Sequence, residues 1–163
     1  MNPAAEKIIA QLGLAPLPQE GGFFRQTWIS ATRLPNGRAA GSAIWFLLTE
    51  DDFSAFHRLA AEEVWHFHAG DPVEHVQLDP ASRTARVNVL GVGLAARQRP
   101  QLVVPGGRWQ GARLLAGAHS QGWALLGCTV TPAWADEEFE LGSRPALLGE
   151  FPRETGWVEA LTR

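Results

Sequence analysis

The sequence is short of cysteine, lysine and tyrosine. Its one cysteine, Cys128, excludes an internal disulfide and a site built from several thiolates, and it fits a reducing compartment. Lys7 is the only lysine, and no run of basic residues accompanies the net charge of −3. Because nucleic acids and anionic membranes are bound by clustered cations, we expect neither as a partner.

Long apolar runs are also missing. No segment reaches the roughly 20 consecutive apolar residues that a membrane-spanning helix needs. The N-terminal segment, MNPAAEKIIAQLGL, lacks the basic start and the apolar stretch of a secretory signal. We therefore expect a cytoplasmic protein that has no membrane partner.

Glycine and proline are plentiful, with 17 and 11 residues, and they separate many short apolar or alternating segments. Such spacing is typical of an all-β sandwich or small barrel rather than of alternating βαβ units. The predicted strands are residues 23–30, 42–49, 73–80, 84–91, 100–107, 109–115 and 122–132. A length of 163 residues suits one domain, 1–163, with a barrel over about 20–132 and a surface cover over 133–163.

One helix is predicted at the start of the chain, over residues 3–12. Asn2 can cap its N-terminus, Pro3 suits its first turn, and Gly13 lies where a helix ends. The pair Asn36-Gly37 predicts a tight turn, because both residues tolerate the positive φ that hairpin turns require.

The polar chemistry is concentrated in one stretch, residues 53–75, which holds four of the five histidines. Titratable side chains are mixed there with large apolar ones, as in a binding pocket. His57 and Glu63 are the candidate catalytic residues, because a histidine oriented by a carboxylate in an apolar cavity suits a general base. The alternative is a hydrogen-bonded pair with a structural role.

His66 and His68 are two residues apart, so on a strand they point to one face and could chelate a metal there. By strand alternation, Trp65 and Phe67 share the face of Glu63, and the two histidines take the other face. If Glu63 points inward, we expect the histidines in a hydrogen-bonded patch under the helix or at a dimer interface, unless a bulge reverses the alternation.

Two parts of the chain together resemble the motifs of the cupin superfamily. The first contains His57, Glu63 and Gly70, and the second is the Pro-Gly-Gly segment 105–107 followed by Gln110. The phrases PQEGGFFRQTW, SAIWFLLTEDDFSAFHRLAAEEVWHFHAGDPVEH, RPQLVVPGGRW and LLGCTVTPAWADEEFEL are similar to the small single-domain cupins of the "cupin five" type. The resemblance implies an all-β cupin jelly-roll β-barrel with a short N-terminal helix, a cavity at its open end, and a homodimer.

The resemblance also bears on a cofactor. In cupins the first motif supplies two histidines and a glutamate, and the second supplies one histidine. Those positions are occupied here by His57, Leu59, Glu63 and Gln110, so two of the four ligands are replaced. A divalent metal on His57, Glu63 and Gln110 is one hypothesis, because such ions accept imidazole and carboxylate together. Since an amide is a weak third ligand, we expect no cofactor.

The resemblance favours a small-molecule ligand in the cavity. We consider an isomerase- or epimerase-type enzyme that acts on a carbohydrate-like substrate by acid–base chemistry. Metal-free cupin epimerases pair a histidine base with a tyrosine acid, and because this chain has no tyrosine, another acid is needed. A non-catalytic ligand-binding or sensor cupin and a metal-dependent cupin enzyme are the alternatives.

Several further residues are candidates for contact with the ligand, because aromatic rings stack, arginine binds anions, and glutamine forms hydrogen bonds. They are Trp45, Arg58, Trp65, Phe67, Gln101, Trp109 and Gln110. A place in the core is the alternative for the tryptophans, and solvated or edge positions are the alternatives for Arg58 and Gln101. Cys128 lies in the apolar run ALLGCTV, and we expect it in the core rather than as a nucleophile. The family usually has Pro-Gly-Phe and another aromatic residue where this chain has the segment 132–135, Pro-Ala-Trp-Ala, so the rim is expected to differ.

Overall fold

The computed structural model of the chain describes residues 1–115, 117 and 121–163, and it contains two antiparallel sheets. The six-stranded sheet consists, in spatial order, of β1 (Ala15–Pro16), β2 (Phe23–Ile29), β3 (Ser42–Thr49), β10 (Trp123–Thr131), β5 (Glu62–Gly70) and β8 (Gln101–Val104). The five-stranded sheet consists of β11 (Glu140–Leu141), β4 (Ser54–Arg58), β9 (Trp109–Leu114), β6 (Val73–Asp79) and β7 (Thr84–Leu90). The predicted all-β jelly roll is confirmed.

All seven predicted strands are present, with ends within three residues of the prediction. Two strands that were not predicted, β4 and β5, lie in the histidine-rich stretch 53–75, where titratable side chains interrupt the apolar pattern. The turn at Asn36-Gly37 also forms, because Gly37 has a φ of 83° and its N–H donates to the Leu34 carbonyl over 2.8 Å.

The predicted N-terminal helix is α1 (Pro3–Leu12). Asn2 caps it, since its Oδ1 accepts a 2.8 Å hydrogen bond from the Ala4 N–H, and Gly13 ends it in the left-handed conformation. The helix packs on the outer face of the six-stranded sheet, where Leu47 is fully buried. The helix therefore covers one sheet and leaves the space between the sheets to other side chains.

The main core lies between the two sheets. Phe46 and Leu126 of the six-stranded sheet meet Val73 and Ala112 of the five-stranded sheet, and all four are almost fully buried. Burial of apolar surface stabilises the folded state by roughly 25 cal/mol for each Å² removed from water. One end of the space between the sheets is less completely filled, and the candidate site lies there.

The C-terminal region forms two helices, α2 (Arg144–Glu150) and α3 (Thr155–Ala160), which pack on the outer face of the five-stranded sheet. Four apolar side chains in these helices or directly after them are at most 1% exposed and contact buried strand residues. They are Leu147, Phe151, Val158 and Leu161. The expected surface cover thus has a second apolar core beneath it.

This second core predicts a strong dependence of stability on α2. In a Leu147→Ala variant we expect the free energy of unfolding to fall by about 2–5 kcal/mol, because the side chain is fully buried. The matched control is Leu148→Ala, which removes the same atoms from a half-buried neighbour and should cost clearly less. Denaturant unfolding checks both, and equal losses would show that α2 is not anchored through Leu147.

Candidate functional site

A partly enclosed cavity of about 210 Å³ opens between the sheets, beside the segment before β2 and the segment after β10. Its apolar walls are Leu17, Phe24, Ile44, Phe46, Trp65, Cys128, Val130 and Trp134. Its polar lining residues are Glu20, Gln26, Ser42, His57, Glu63 and Asp136. Titratable side chains in a mostly apolar pocket are typical of a functional site.

His57 on β4 points into this cavity and is only 2% exposed. Its Nδ1 lies 2.8 Å from the Ala55 carbonyl oxygen, and because a carbonyl only accepts, Nδ1 carries the hydrogen in the neutral ring. The lone pair is then on Nε2, which has no hydrogen-bond partner among the described residues. Phe139 stacks on the ring with centroids 5.6 Å apart. The imidazole is therefore held in one tautomer, with a basic nitrogen free.

Glu20 is the functional candidate that sequence reasoning missed. Its Oε1 accepts a 2.8 Å hydrogen bond from the Ser54 hydroxyl and lies 3.9 Å from Nδ1 of His57. It reaches the cavity because Gly21 and Gly22 have φ values of 103° and 74°, which only glycine adopts easily. A Cβ at Gly22 would lie 2.8 Å from the ring of Phe46, so the chain is also tightly packed there. The sequence signal was a carboxylate directly before a glycine pair.

Glu63 on β5 is buried in the cavity wall. Its Oε2 accepts a 2.6 Å hydrogen bond from the Gln110 amide nitrogen. Burial raises the pKa of Glu63; the charge of His57 opposes that rise and the charge of Glu20 adds to it. The protonated, neutral form is thereby favoured, so Glu63 can act as a hydrogen-bond and proton donor.

Gln110 lies behind the cavity wall, and its side chain joins three buried groups. Its Oε1 accepts hydrogen bonds from Nε1 of Trp65 over 2.9 Å and from Nε2 of His75 over 3.3 Å. The Trp65 indole can only donate, so the atom that faces it must be the amide oxygen. The amide nitrogen is therefore the group that faces Glu63.

The similarity of the chain to known proteins is consistent with this geometry. Residues 6–142 match the model of the family described as Cupin superfamily (DUF985). The chain belongs to this cupin family. Protein SO0799 from Shewanella oneidensis is 36% identical over 100% of this chain and 98% of its own, with a TM-score of 0.90. A hypothetical protein from Leishmania major is 30% identical over 97% and 98%, with a TM-score of 0.88.

A more distant structure supports the fold alone. It is a cupin 2 conserved barrel domain protein from Rhodopseudomonas palustris, 16% identical over 93% of this chain and 91% of its own, with a TM-score of 0.60. No curated protein matches the sequence. Within the described residues the longest helix, α1, has ten residues, too few to cross a membrane.

A metal, which the cupin motifs suggest, does not fit the residues at these positions. The oxygen of Gln110 is turned toward Trp65 and His75, and its amide nitrogen, a donor, faces Glu63. The other replaced position, Leu59, is buried and apolar. In the described part of the chain, no three His, Cys, Asp or Glu side chains form a group that could hold an ion. His57, Glu63 and Gln110 thus do not form a ligand set.

Elemental analysis tests this disagreement with the metal hypothesis. After incubation with Zn²⁺, Fe²⁺, Ni²⁺ or Mn²⁺ and removal of free ions, we expect the untagged protein to retain clearly less than one equivalent per chain. The reason is that one imidazole and one carboxylate are too few ligands for tight binding. The control is His57→Ala, which should retain as little as the wild type. One equivalent in the wild type that is lost in this variant would contradict the expectation.

The structure brings only some of the predicted ligand-binding residues to the cavity. Trp65 lines it, and Gln110 supports it from behind. Trp45 lies on the outer face of the six-stranded sheet, next to α1 and under the guanidinium of Arg25. Phe67 packs against the edge of the main core.

Three other predicted residues also lie outside the cavity lining. Trp109 is buried under α2 and α3, because position 109 points to the outer face of β9 while position 110 points inward. Arg58 stacks on Trp109 at 4.5 Å and pairs with Glu140, so its charge is already compensated. Gln101 is exposed and forms a hydrogen bond with His66 on the outer face.

Strand alternation placed the remaining histidines correctly relative to Glu63. Glu63 and Trp65 line the cavity, whereas His66 contacts Thr129 and Gln101 on the opposite face of the sheet. His68 lies on the same outer face, over Gly127. The bulge in the pairing of β5 with β10 lies beyond Phe67 and so does not reverse this alternation.

Cys128 is buried as expected, but it also lines the cavity. Burial raises the pKa of its thiol, and any negative charge on Glu63 or Glu20 would raise it further. The thiolate is therefore disfavoured, and Cys128 serves as an apolar wall rather than as a nucleophile.

Proposed function

We propose that this cupin binds a small molecule in the cavity and acts on it as an acid–base enzyme of the isomerase or epimerase type. The observation that carries the proposal is that His57 and Glu63 line one cavity in complementary states. Hydrogen bonding leaves the basic Nε2 of His57 free, and burial raises the pKa of Glu63, which favours its protonated form. Two titratable groups with opposed environments are the usual basis for assigning a base and an acid.

The corresponding step is the transfer of a proton at a carbon next to a carbonyl group. His57 Nε2 accepts the proton from the carbon, the electron pair of the broken C–H bond forms a C=C bond to the carbonyl carbon, and the π pair of the carbonyl group moves to its oxygen. Glu63 donates a proton to that oxygen, which gives a neutral enol. The reverse transfers return a proton to the same carbon or, where that carbon bears a hydroxyl group that gives its proton to Glu63, to the former carbonyl carbon. The carboxylate of Glu20, 3.9 Å from Nδ1, stabilises the imidazolium that forms between these transfers.

Glu63 supplies the acid that the sequence, with no tyrosine, left unassigned. The cavity is smaller than the roughly 300–1,000 Å³ of pockets that hold drug-sized ligands. Its walls are more apolar than the polyhydroxylated ring of a carbohydrate requires. We therefore propose a smaller and less hydroxylated carbonyl compound than the carbohydrate-like substrate expected from the sequence.

Hydrogen exchange tests the proposal. The protein is incubated in D₂O with a panel of small aldehydes and ketones, and proton NMR follows the loss of the signal from the hydrogen next to the carbonyl. We expect catalysed exchange of at least one compound, and its loss in His57→Gln, because the amide cannot act as the base. His68→Gln, on the outer face, is the matched control and should keep the wild-type rate.

Binding of a panel compound without exchange in the wild type would contradict catalysis and favour the non-catalytic ligand-binding or sensor protein. Exchange that persists in a folded His57→Gln variant would contradict the assignment of His57 as the base.

A further inference from the structure

We infer that the molecule bound in this cavity carries a positive charge, as a small carbonyl compound with an ammonium group does, and that Glu20 and Asp136 recognise this charge. The inference rests on the proposed function, because it takes the cavity as the place where the small molecule binds. It adds the charge class of the substrate, which neither the fold nor the family determines.

The first argument is the absence of cations from the described lining of the cavity. Basic side chains of the neighbouring segments are engaged elsewhere. Arg25 donates to the Leu12 carbonyl, and Arg38, Arg58 and Arg163 pair with Glu138, Glu140 and Asp52. Phosphate and carboxylate ligands are held by arginine or lysine in most sites. An anionic molecule would meet three carboxyl groups here, with one imidazole and neutral amide and hydroxyl groups as the other polar partners, so the loss of its hydration would not be compensated.

The second argument is the state of Glu20. Its side chain is 9% exposed, so its carboxylate is largely desolvated. Oε1 accepts the hydrogen bond from Ser54, whereas Oε2 accepts none from the described residues. Because Glu20 lines the cavity, this oxygen is open to a molecule bound there. An ammonium group in the cavity would satisfy it with a charge-assisted hydrogen bond.

The third argument is the aromatic lining. Phe24, Phe46, Trp65 and Trp134 all contribute to the wall. Aromatic faces attract organic cations, and tryptophan does so most strongly. At the rim, Trp134 donates a 2.7 Å hydrogen bond to Asp136, which fixes the exposed carboxylate beside the ring. The rim thus has a negative charge next to an aromatic face, and the interior has a second one at Glu20.

Three aromatic probes of similar size and different charge test the inference at neutral pH. They are benzylammonium, benzyl alcohol and benzoate, and titration calorimetry or ligand-observed NMR measures their affinities. We expect benzylammonium to bind at least about tenfold more tightly than benzyl alcohol, as one desolvated charged hydrogen bond would give. Benzoate should bind more weakly than benzyl alcohol.

Two variants locate the recognition. Glu20→Gln keeps the acceptor for Ser54 and should lower the affinity for benzylammonium about tenfold or more while leaving that for benzyl alcohol unchanged. Asp136→Asn keeps the acceptor for Trp134. Because this side chain lies at the exposed rim, the variant should lower the affinity for benzylammonium only about two- to fivefold. Glu137→Gln, an exposed neighbour that does not line the cavity, is the matched control and should change neither affinity.

Binding of benzoate or benzyl alcohol as tight as that of benzylammonium would overturn the inference and leave the proposed function standing. An unchanged preference for benzylammonium in both variants would overturn the assignment to Glu20 and Asp136. If none of the three probes binds, the inference is also wrong, and the proposed function is then judged separately by the exchange of uncharged aldehydes and ketones.

Discussion

A Glu63→Gln variant is expected to lose catalysed exchange by a factor of about 10² or more, because glutamine keeps the shape of the side chain but has no proton to transfer. In the wild type the rate should fall as the pH rises through the raised pKa of Glu63, where the acid loses its proton. The variant should lack this fall. Rates measured by proton NMR across the pH range check both statements.

The same variant should not be destabilised at neutral pH. The pKa of Glu63 is raised in the folded state, so the folded chain still holds a proton at pH values where the unfolded chain, with a pKa of 4.5 for this group, has lost it. Wild-type stability therefore falls as the pH rises above about 4.5. Glutamine removes this penalty. Glu62→Gln, on the exposed side of the same strand, is the matched control and should keep its activity. Full activity in Glu63→Gln would exclude Glu63 as the acid.

Acid sensitivity is expected to depend on His75. Complete burial lowers the pKa of this histidine to about 3, and the charge of His57 acts in the same direction. The hydrogen bond with Gln110 opposes the shift, and Nδ1 has no partner among the described residues to accept a second N–H. His75 is therefore neutral in the folded state and would have to be protonated against this environment in acid.

As the pH falls, the unfolded chain binds this proton near pH 6.5, whereas the folded chain binds it only near pH 3. Stability should thus be complete above about 6.5 and decrease as the pH falls through this window, by about 3–5 kcal/mol from this group. In His75→Gln, which can still donate to Gln110, we expect the decrease to be smaller by that amount.

Urea unfolding at several pH values measures the difference. The control is His68→Gln on the exposed outer face, which should keep the wild-type dependence on pH. Glu63 contributes an opposite trend, but it is present in all three proteins, so the comparison isolates His75. Parallel curves for wild type and His75→Gln would show that His75 is not the acid-sensitive group.

Much of the fold could be predicted from the sequence because its signals are local. Turn residues and short apolar segments indicate strands, and Asn2 and Gly13 mark the ends of the one predicted helix. Alternation along β5 also placed Glu63 and Trp65 on one face and His66 on the other, since the period of a strand is two residues. The expected homodimer and cytoplasmic location stay predictions.

The candidate site was harder to predict, because its members are distant in the chain. The signal at Glu20 was weak, since a carboxylate in a loop is usually solvated. Trp45 and Trp109 were expected at the cavity because they are large and aromatic, but each lies on the outer face of its sheet, beneath a helix or beside one. Sequence could not show this, since helices on the outer faces also bury aromatic side chains.

By itself, the sequence determined the family, most of the longer strands, the N-terminal helix and the candidate pair His57 and Glu63, because these depend on residue types and short spacings. Only the tertiary structure decided that Glu20 joins His57, that Gln110 turns its nitrogen to Glu63, and that burial raises the pKa of Glu63. The physical reason is that charge state and hydrogen-bond direction depend on which distant groups exclude water from a site and which donors they bring to it.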